Sequence, residues 1–364
     1  MRVVICGGGI IGAATAYYLA ARGIGATIVE RTALAAAASG KSGGFLARDW
    51  CEGTPVAPLA RRSFDLHAEL ANALGGGRWG YRALDTYAGA DPGGAAAGEP
   101  QLAWIAPQVR LEGRIGTPAT TRQVHPRRLT EALAEAACAR GTRIVTATVA
   151  GIATQDGAVR GVDLADGQRL PADKVVVAMG PWSILLAGSL PLPAVYGIKG
   201  HSLVFDTGDQ VPPEALFLEA REAGGGVETP EIFPRPDGTT YICALSSDAP
   251  LPVDPAAVDG DEGAFDRLHA ICCQLSPVLA RAKVLARQAC HRPVAVDGLP
   301  LIGPVPGVEG AYLATAHSVW GILNGPATGE AMAALLVDEA PAVNLAAFDP
   351  GRLRPLDLSE ITTR

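Results

Sequence analysis

The residues that could do chemistry begin almost at the first position. Gly7-Gly8-Gly9-Ile10-Ile11-Gly12 spaces Gly7, Gly9 and Gly12 as GxGxxG. The apolar run Val3-Val4-Ile5-Cys6 precedes it and an Ala/Tyr/Leu-rich stretch ending near Arg22-Gly23 follows. Between a strand and the helix it feeds, each glycine has a use: a tight turn at Gly7, a missing Cβ at Gly9 where a pyrophosphate comes close, and close helix-on-strand packing at Gly12. The N–H groups at the start of such a helix face the phosphates. Glu30, 18 residues beyond Gly12 at the end of the next apolar run, can accept hydrogen bonds from a ribose diol, and its charge disfavours an NADP 2′-phosphate. The pattern predicts a dinucleotide site without separating FAD from NAD.

Other chemistries find less support. The seven cysteines contain no CxxC pair and no ligand-like spacing with the six histidines, so reduced thiols and no metal are expected. A net charge of −7 with no basic block excludes the footprint of a nucleic-acid or anionic-membrane binder. Apolar stretches are short and interrupted, which predicts no membrane span, no signal peptide and a cytoplasmic protein. With 48% apolar residues in 364, the chain can bury a core large enough to enclose a sizeable cofactor.

These residues need elements to hold them. Strand 3–6, helix 12–21 and strand 26–29 form a βαβ unit of a parallel sheet. Helices are expected at 56–74, stopped by Gly75-Gly76-Gly77, and at 127–140, with Pro126 before it and Gly141 after. The stretch 89–100 is turn-rich. Strands are predicted at 143–149, 159–164 and 174–178, with Asp166-Gly167 as a hairpin turn. From about 196 to 289 the pattern changes to strands such as 202–205 and 241–245 with a helix near 265–275, read as a second domain. Beyond Cys290 come a turn at Asp297-Gly298, a strand at 311–314, a glycine-bearing loop 317–325 and a closing helix 326–337.

Several further motifs stand in a recognisable order: Ala38-Ser39-Gly40-Lys41-Ser42-Gly43-Gly44; Val175-Val176-Val177-Ala178-Met179-Gly180-Pro181-Trp182; His291-Arg292-Pro293; Asp297-Gly298-Leu299-Pro300-Leu301-Ile302-Gly303; and residues 314–323 with Gly325-Pro326-Ala327-Thr328-Gly329. Together with Lys199-Gly200 and Phe233-Pro234-Arg235-Pro236-Asp237-Gly238, this order resembles the D-amino-acid oxidase/glycine oxidase superfamily of FAD-dependent oxidoreductases. Gly43-Gly44-Phe45-Leu46-Ala47 is similar to a subgroup in fungi, plants and bacteria.

The resemblance implies an α/β protein: a Rossmann-like, glutathione-reductase-type FAD-binding domain assembled from residues 1–82, 120–195 and 290–364, roofed by a mostly antiparallel substrate domain from 83–119 and 196–289. It implies FAD contacts at Gly7, Gly9, Ile10, Ile11, Gly12, Glu30, Arg31, Ser39, Ser42, Gly43, Gly44, Val149, Ala178, Gly180, Trp182, Gly321, Ile322 and Leu323. Val149, at the end of its strand, would meet adenine. Arg292 is the basic residue that either holds a substrate carboxylate by two parallel hydrogen bonds or makes a structural ion pair between sheet and helix. His317 and Trp320 would touch flavin or line the cavity, or serve as a loop residue and a core residue. Glu231 stands where a glycine oxidase carries tyrosine, either pairing with a substrate ammonium or lying on a solvated strand edge. Family members often have glycine where this chain has Ala316 and Ser318. Cys290 is the position for covalent flavin attachment, although the surrounding Arg-Pro form is that of noncovalent members. Lys199 either lies near the flavin, assisting reaction with oxygen, or is a surface lysine ahead of a glycine.

The implied activity is oxidation of a C–N bond of an amino acid or secondary amine by hydride transfer to flavin N5, with O2 or another electron acceptor. Two other classes stay open: an NAD-dependent dehydrogenase, and a flavin-bearing assembly or trafficking factor without turnover.

Overall fold

Val3–Cys6 is buried at every position, as a strand covered on both faces must be, and it lies inside a six-stranded sheet. The computed structural model describes residues 1–91, 102–222 and 224–360. In this sheet the order is Leu301–Pro304, Ala311–Thr315, Lys174–Val177, Val3–Cys6, Thr27–Glu30 and Arg143–Thr146. Neighbours run parallel except the first pair. Alternate residues feed two cores. Val3, Ile5 and Ile28 pack with helices Ile10–Ala21, Ala57–Leu74, Pro126–Cys138 and Gly321–Leu336. Val4, Cys6 and Val29 pack against the three-stranded sheet Val149–Gln155, Ala158–Leu164, Arg169–Pro171.

Parallel neighbours need crossover connections, and the glycine turn begins the first of them. Gly7 sits at φ +112°, and a Cβ there would lie 2.4 Å from the Ala178 carbonyl oxygen. A Cβ at Gly12 would lie 2.0 Å from the Gly7 carbonyl oxygen. Backbone meets backbone at both points, so no side-chain movement can make room.

A second, eight-stranded sheet carries Lys283–Ala295, Val195–Asp206, Thr239–Ser247, Glu231–Pro234, Glu214–Arg221, Asp85–Asp91 and Arg110–Gly116 in that order, with Val227–Glu228 beside Glu214–Arg221. Its pairings are antiparallel except that of Glu214–Arg221 with Asp85–Asp91. One face, with Leu203, Phe205, Leu216, Ile232 and Ile242, packs on helix Ala264–Leu275. The alternate residues, Phe217, Glu231, Phe233, Tyr241 and Cys243 among them, point the other way, into a cavity.

Several expected boundaries move. Of the turn-rich stretch 89–100, Gly89 to Asp91 complete a strand and 92–100 lie outside the described residues. The run 143–149 is two strands, Arg143–Thr146 and Val149–Gln155, so Val149 begins a strand and does not end one. The division expected between 289 and 290 falls inside the single strand Lys283–Ala295.

The closing helix starts at Gly321, five residues ahead of the expected Pro326, which lies inside it. Proline has no N–H for the carbonyl four residues back, here Ile322. His67 Nε2 supplies the missing donor, reaching Ile322 O at 3.0 Å and Leu323 O at 3.1 Å. Ser63 Oγ, one helical turn earlier on the same helix, accepts from Ala327 N at 3.0 Å. A neighbouring helix thus repairs the break, and the first turn continues as helix where the sequence reads as loop.

Candidate active site

A single cavity of about 770 Å³ runs between the two sheets. Its near end is built by Gly7, Gly9, Ile10 and Ile11, with Glu30 and Arg31 beside them and Val149 across from them. Glu30 Oε2 accepts from Gly8 N at 2.7 Å, which fixes the carboxylate next to the turn. Helix Ile10–Ala21 has no acidic residue in its first turn, so its positive end opens on the cavity uncompensated. Ser39 Oγ accepts from Ile10 N at 3.0 Å, and a Cβ at Gly9 would lie 3.0 Å from the same hydroxyl.

The middle is walled by Ser42, Gly43, Gly44, Ala178 and Gly180. Gly43 lies so close to Phe233 that a Cβ would meet its ring at 2.2 Å. Gly44 has φ +81°. Gly321 and Ile322 reach the cavity; Gly12 and Leu323 do not, being buried behind its wall.

These residues fit the adenine dinucleotide that the turn predicts. The glycines leave a cradle that side chains would fill, a helix start faces it, and Ser42 Oγ is buried in the wall with no hydrogen-bond partner.

At the far end the second sheet presents Phe217, Glu231, Phe233, Tyr241, Cys243, Cys290 and Arg292, with Phe45, Trp50 and Trp320 from the other side. The rings are continuous: Phe45–Phe233 5.3 Å, Phe45–Trp50 5.0 Å, Trp50–Phe217 4.8 Å and Trp50–Trp320 6.4 Å between centroids. Arg292 Nη2 donates to Ser246 Oγ at 2.5 Å. Glu231 lies on a strand bonded on both sides, so it is no solvated edge residue; the Cys243 thiol donates to its Oε2 at 3.6 Å. Burial pushes the Glu231 carboxyl above its usual range, with the Cys243 hydrogen bond and the Arg292 charge opposing that rise. Burial also pushes up the Cys290 thiol.

Lys199 departs from expectation. It is largely buried and pairs with Asp261 at 2.7 Å, because Asp261, also held by Ser247 Oγ, closes over the strand that bears it.

The segment 316–318 keeps a left-handed backbone without glycine: φ is +62° at Ala316 and +49° at Ser318. Such angles cost a residue with a Cβ about 1 kcal/mol or more each and persist where the surroundings enforce them. His317 between them lines the cavity, with Nε2 at 2.9 Å from Thr328 Oγ1, and burial lowers its pKa to about 3.

His317, His67 and His125 share that direction, the latter two lowered to about 4, mainly by burial. The unfolded chain takes up a proton below the ordinary value of 6.5, whereas the folded protein does not until the lowered value is reached. Stability is therefore complete above about pH 6.5 and falls as pH drops toward 4 and 3. For buried His67 and His317 the loss reaches up to about 1.4 kcal/mol per pH unit each. Glu231, raised, works in the opposite direction. Urea midpoints should fall steadily below about pH 6.5; His67→Gln, which keeps an N–H donor, should flatten part of the fall.

A strap from the second sheet closes the near end. Trp182 Nε1 donates to Pro252 O at 2.8 Å, Arg31 pairs with Asp254 at 3.2 Å, and Val253 and Pro255 line the cavity. Trp182→Phe should raise the dissociation constant of a bound dinucleotide about fivefold, the worth of one hydrogen bond. Asp254→Asn, removing a half-exposed pair, should change it less than about threefold, an effect erased by salt. Equilibrium titration of the apoprotein checks both.

An α/β protein whose cleft joins a glycine-turn nucleotide site to an aromatic, charge-bearing chamber belongs to the class of dinucleotide-dependent oxidoreductases. Comparison with known proteins makes this specific. The profile of the FAD dependent oxidoreductase (DAO) family matches residues 2–335, and the chain belongs to that family. A Schizosaccharomyces pombe protein named as an oxidoreductase is 31% identical over 382 residues, covering 96% of this chain and 97% of its own. Glycine oxidase of Pseudomonas putida is 28% identical, covering 97% and 99%. The crystal structure of glycine oxidase from Geobacillus kaustophilus superposes with a TM-score of 0.79 at 27% identity over 96% of this chain and 98% of that one.

Among the described residues no group of side chains could hold a metal ion, and no helix is long and apolar enough to cross a membrane. Sequence reasoning passed over Phe45, Trp50, Phe217, Phe233, Tyr241 and Cys243 as site residues. Alternation was the available signal: Glu231 and Phe233, Tyr241 and Cys243, and Cys290 and Arg292 are each two apart on a strand, and one member facing the cavity brings the other.

Proposed function

We propose that this protein is an FAD-dependent enzyme oxidising the C–N bond of an amino acid or secondary amine, with O2 as electron acceptor. The observation that carries the reading is the single cavity reaching from the glycine turn to Arg292 and the aromatic chamber. The six-stranded sheet and the helices packed on it serve as a Rossmann-like, glutathione-reductase-type FAD-binding domain, roofed by the eight-stranded sheet. FAD bound there supplies a two-electron acceptor beside the substrate carbon that bears nitrogen.

The chain's own residues do the rest. The start of helix Ile10–Ala21 and the Gly9 cradle receive the pyrophosphate, Glu30 the adenosine ribose, and Ser39, Ser42, Gly43, Gly44, Ala178 and Gly180 the ring system. Arg31, Val149 and Trp182 border the adenosine end. Gly321 and Ile322 open the helix whose positive end faces the cavity and would stabilise negative charge on a ring bound there. Arg292 receives the substrate carboxylate, held in place by Ser246. Trp320, with Trp50 and Phe217, keeps water from the reacting carbon. His317, uncharged above about pH 3, shapes the loop. Cys290 remains a protonated thiol, a poor nucleophile, which supports noncovalent FAD.

The purified protein should be yellow, release its flavin on acid precipitation, and bleach without oxygen when mixed with members of a panel of amino acids, N-methyl amino acids and amines. A colourless protein unable to take up FAD, or one no amine bleaches, would remove the reading.

A further inference from the structure

Glu231 is a carboxyl group in an aromatic chamber, with Arg292 acting on it through space and no ion-pair partner among the described residues. Its strand lies between two others, with Phe217 opposite it on one side and Cys243 on the other. Its one hydrogen bond is the weak one from the Cys243 thiol, and among the described residues it joins no ion pair. Arg292 stands on another strand of the same face, occupied with Ser246 Oγ, and acts on Glu231 only through space. The chamber therefore offers a cationic and an acidic group that feel each other's charge but form no ion pair.

Such a pair fits a zwitterion bound by its carboxylate at Arg292 and its ammonium toward Glu231. An ammonium has no lone pair, so its C–N bond cannot be oxidised until a proton leaves. In water the carboxylate is far too weak a base to take that proton. Inside aromatic walls the balance changes, because two opposite charges are penalised by desolvation while two neutral groups are not.

We infer that Glu231 takes the ammonium proton of the bound substrate. The N–H bond breaks and an O–H bond forms at a Glu231 oxygen; the amine keeps the electron pair, and no oxidant or co-reactant is consumed. This rests on the amine-oxidation reading and adds to it the group that makes the substrate reactive. The role has an electrostatic basis, since burial already holds the Glu231 carboxyl above its usual range.

Few other groups in the chamber compete. Cys243 and Tyr241, from Thr239–Ser247, are both pushed well above their ordinary values, and Cys290, beside Arg292, is raised. Glu214–Arg221 offers the uncharged Phe217. His201 is held between Leu245 O and Asp261 N.

The test is stopped-flow reduction of the FAD-loaded protein by N-methylglycine and D-alanine from about pH 6 to about pH 10. For the wild type, the second-order constant for reduction should be flat above the Glu231 titration. For Glu231→Gln it should climb about tenfold per pH unit toward the amine's own pKa, lying about 1000-fold below wild type at about pH 7 and converging at about pH 10. Glu231→Asp, which keeps a titrating carboxyl, should keep the flat profile at a lower rate.

A readout without turnover is the binding of acetate, a carboxylate with no ammonium, to the oxidised protein. Glu231→Gln should bind acetate about tenfold tighter, having lost a repelling charge, while N-methylglycine weakens. A Glu231→Gln profile parallel to wild type, or equal changes for acetate and N-methylglycine, would overturn the inference and leave amine oxidation standing. A wild type that no amine reduces would overturn both.

Discussion

Arg292→Ala is expected to lower the second-order constant for flavin reduction by a carboxylate-bearing amine about 1000-fold. Truncating one member of a hydrogen-bonded charge pair costs about 2–5 kcal/mol, because the other charge is left in the cavity unpaired. Here that charge belongs to the substrate, and the aromatic walls give it little water in exchange. Arg292→Lys should recover only part of the loss, since an ammonium cannot present two parallel N–H groups to a carboxylate. Ser246→Ala, which frees the guanidinium from its 2.5 Å anchor, should cost much less, about tenfold or below. The diagnostic comparison is a simple amine without a carboxylate, whose reduction rate should be nearly indifferent to Arg292→Ala. Equal losses for both substrates would show that the arginine only maintains the sheet.

Gly12→Ala should give a protein that purifies without flavin. The added carbon would lie 2.0 Å from the Gly7 carbonyl oxygen and 3.2 Å from Ile5 Cγ2, so the helix must leave the strand and the turn must open. Loss of FAD affinity of more than about 100-fold is expected, together with several kcal/mol of stability, because the strain falls on backbone at the centre of the larger core. Gly9→Ala is the control. Its Cβ faces the cavity and meets only the Ser39 hydroxyl at 3.0 Å, so affinity should fall while the urea midpoint of the apoprotein stays near wild type. The ratio of flavin to protein absorbance after purification, and apoprotein unfolding curves, separate the two outcomes.

Legibility differed with the range of the interactions involved. The glycine turn, Glu30 and the strands around them are local: a handful of consecutive residues determines turn, helix start and burial. Arg292 and Glu231 were legible as residues but their relation was not, because it arises from four adjacent strands, Lys283–Ala295, Val195–Asp206, Thr239–Ser247 and Glu231–Pro234, whose pairing no local pattern specifies. The aromatic chamber was missed for the same reason. Each ring looks like ordinary core until the strands bring Phe217, Phe233 and Tyr241 to one face. The helix begins at Gly321 and not at the expected Pro326, because proline is a sound local start signal and the groups that let the helix run through it, Ser63 and His67, lie more than 250 residues away. Lys199 read as exposed because its partner Asp261 is 62 residues distant.

That repair at Pro326 ties the history of two helices together. Replacing the proline with alanine would restore an N–H to the ladder, make the imidazole and hydroxyl from the neighbouring helix redundant, and set them competing with the segment's own backbone. Changing His67 alone would leave two carbonyls under the cleft wall without donors. The three positions are therefore expected to drift as a set, and an engineer who wishes to re-aim the opening turn of that helix has a handle on it well away from any substrate.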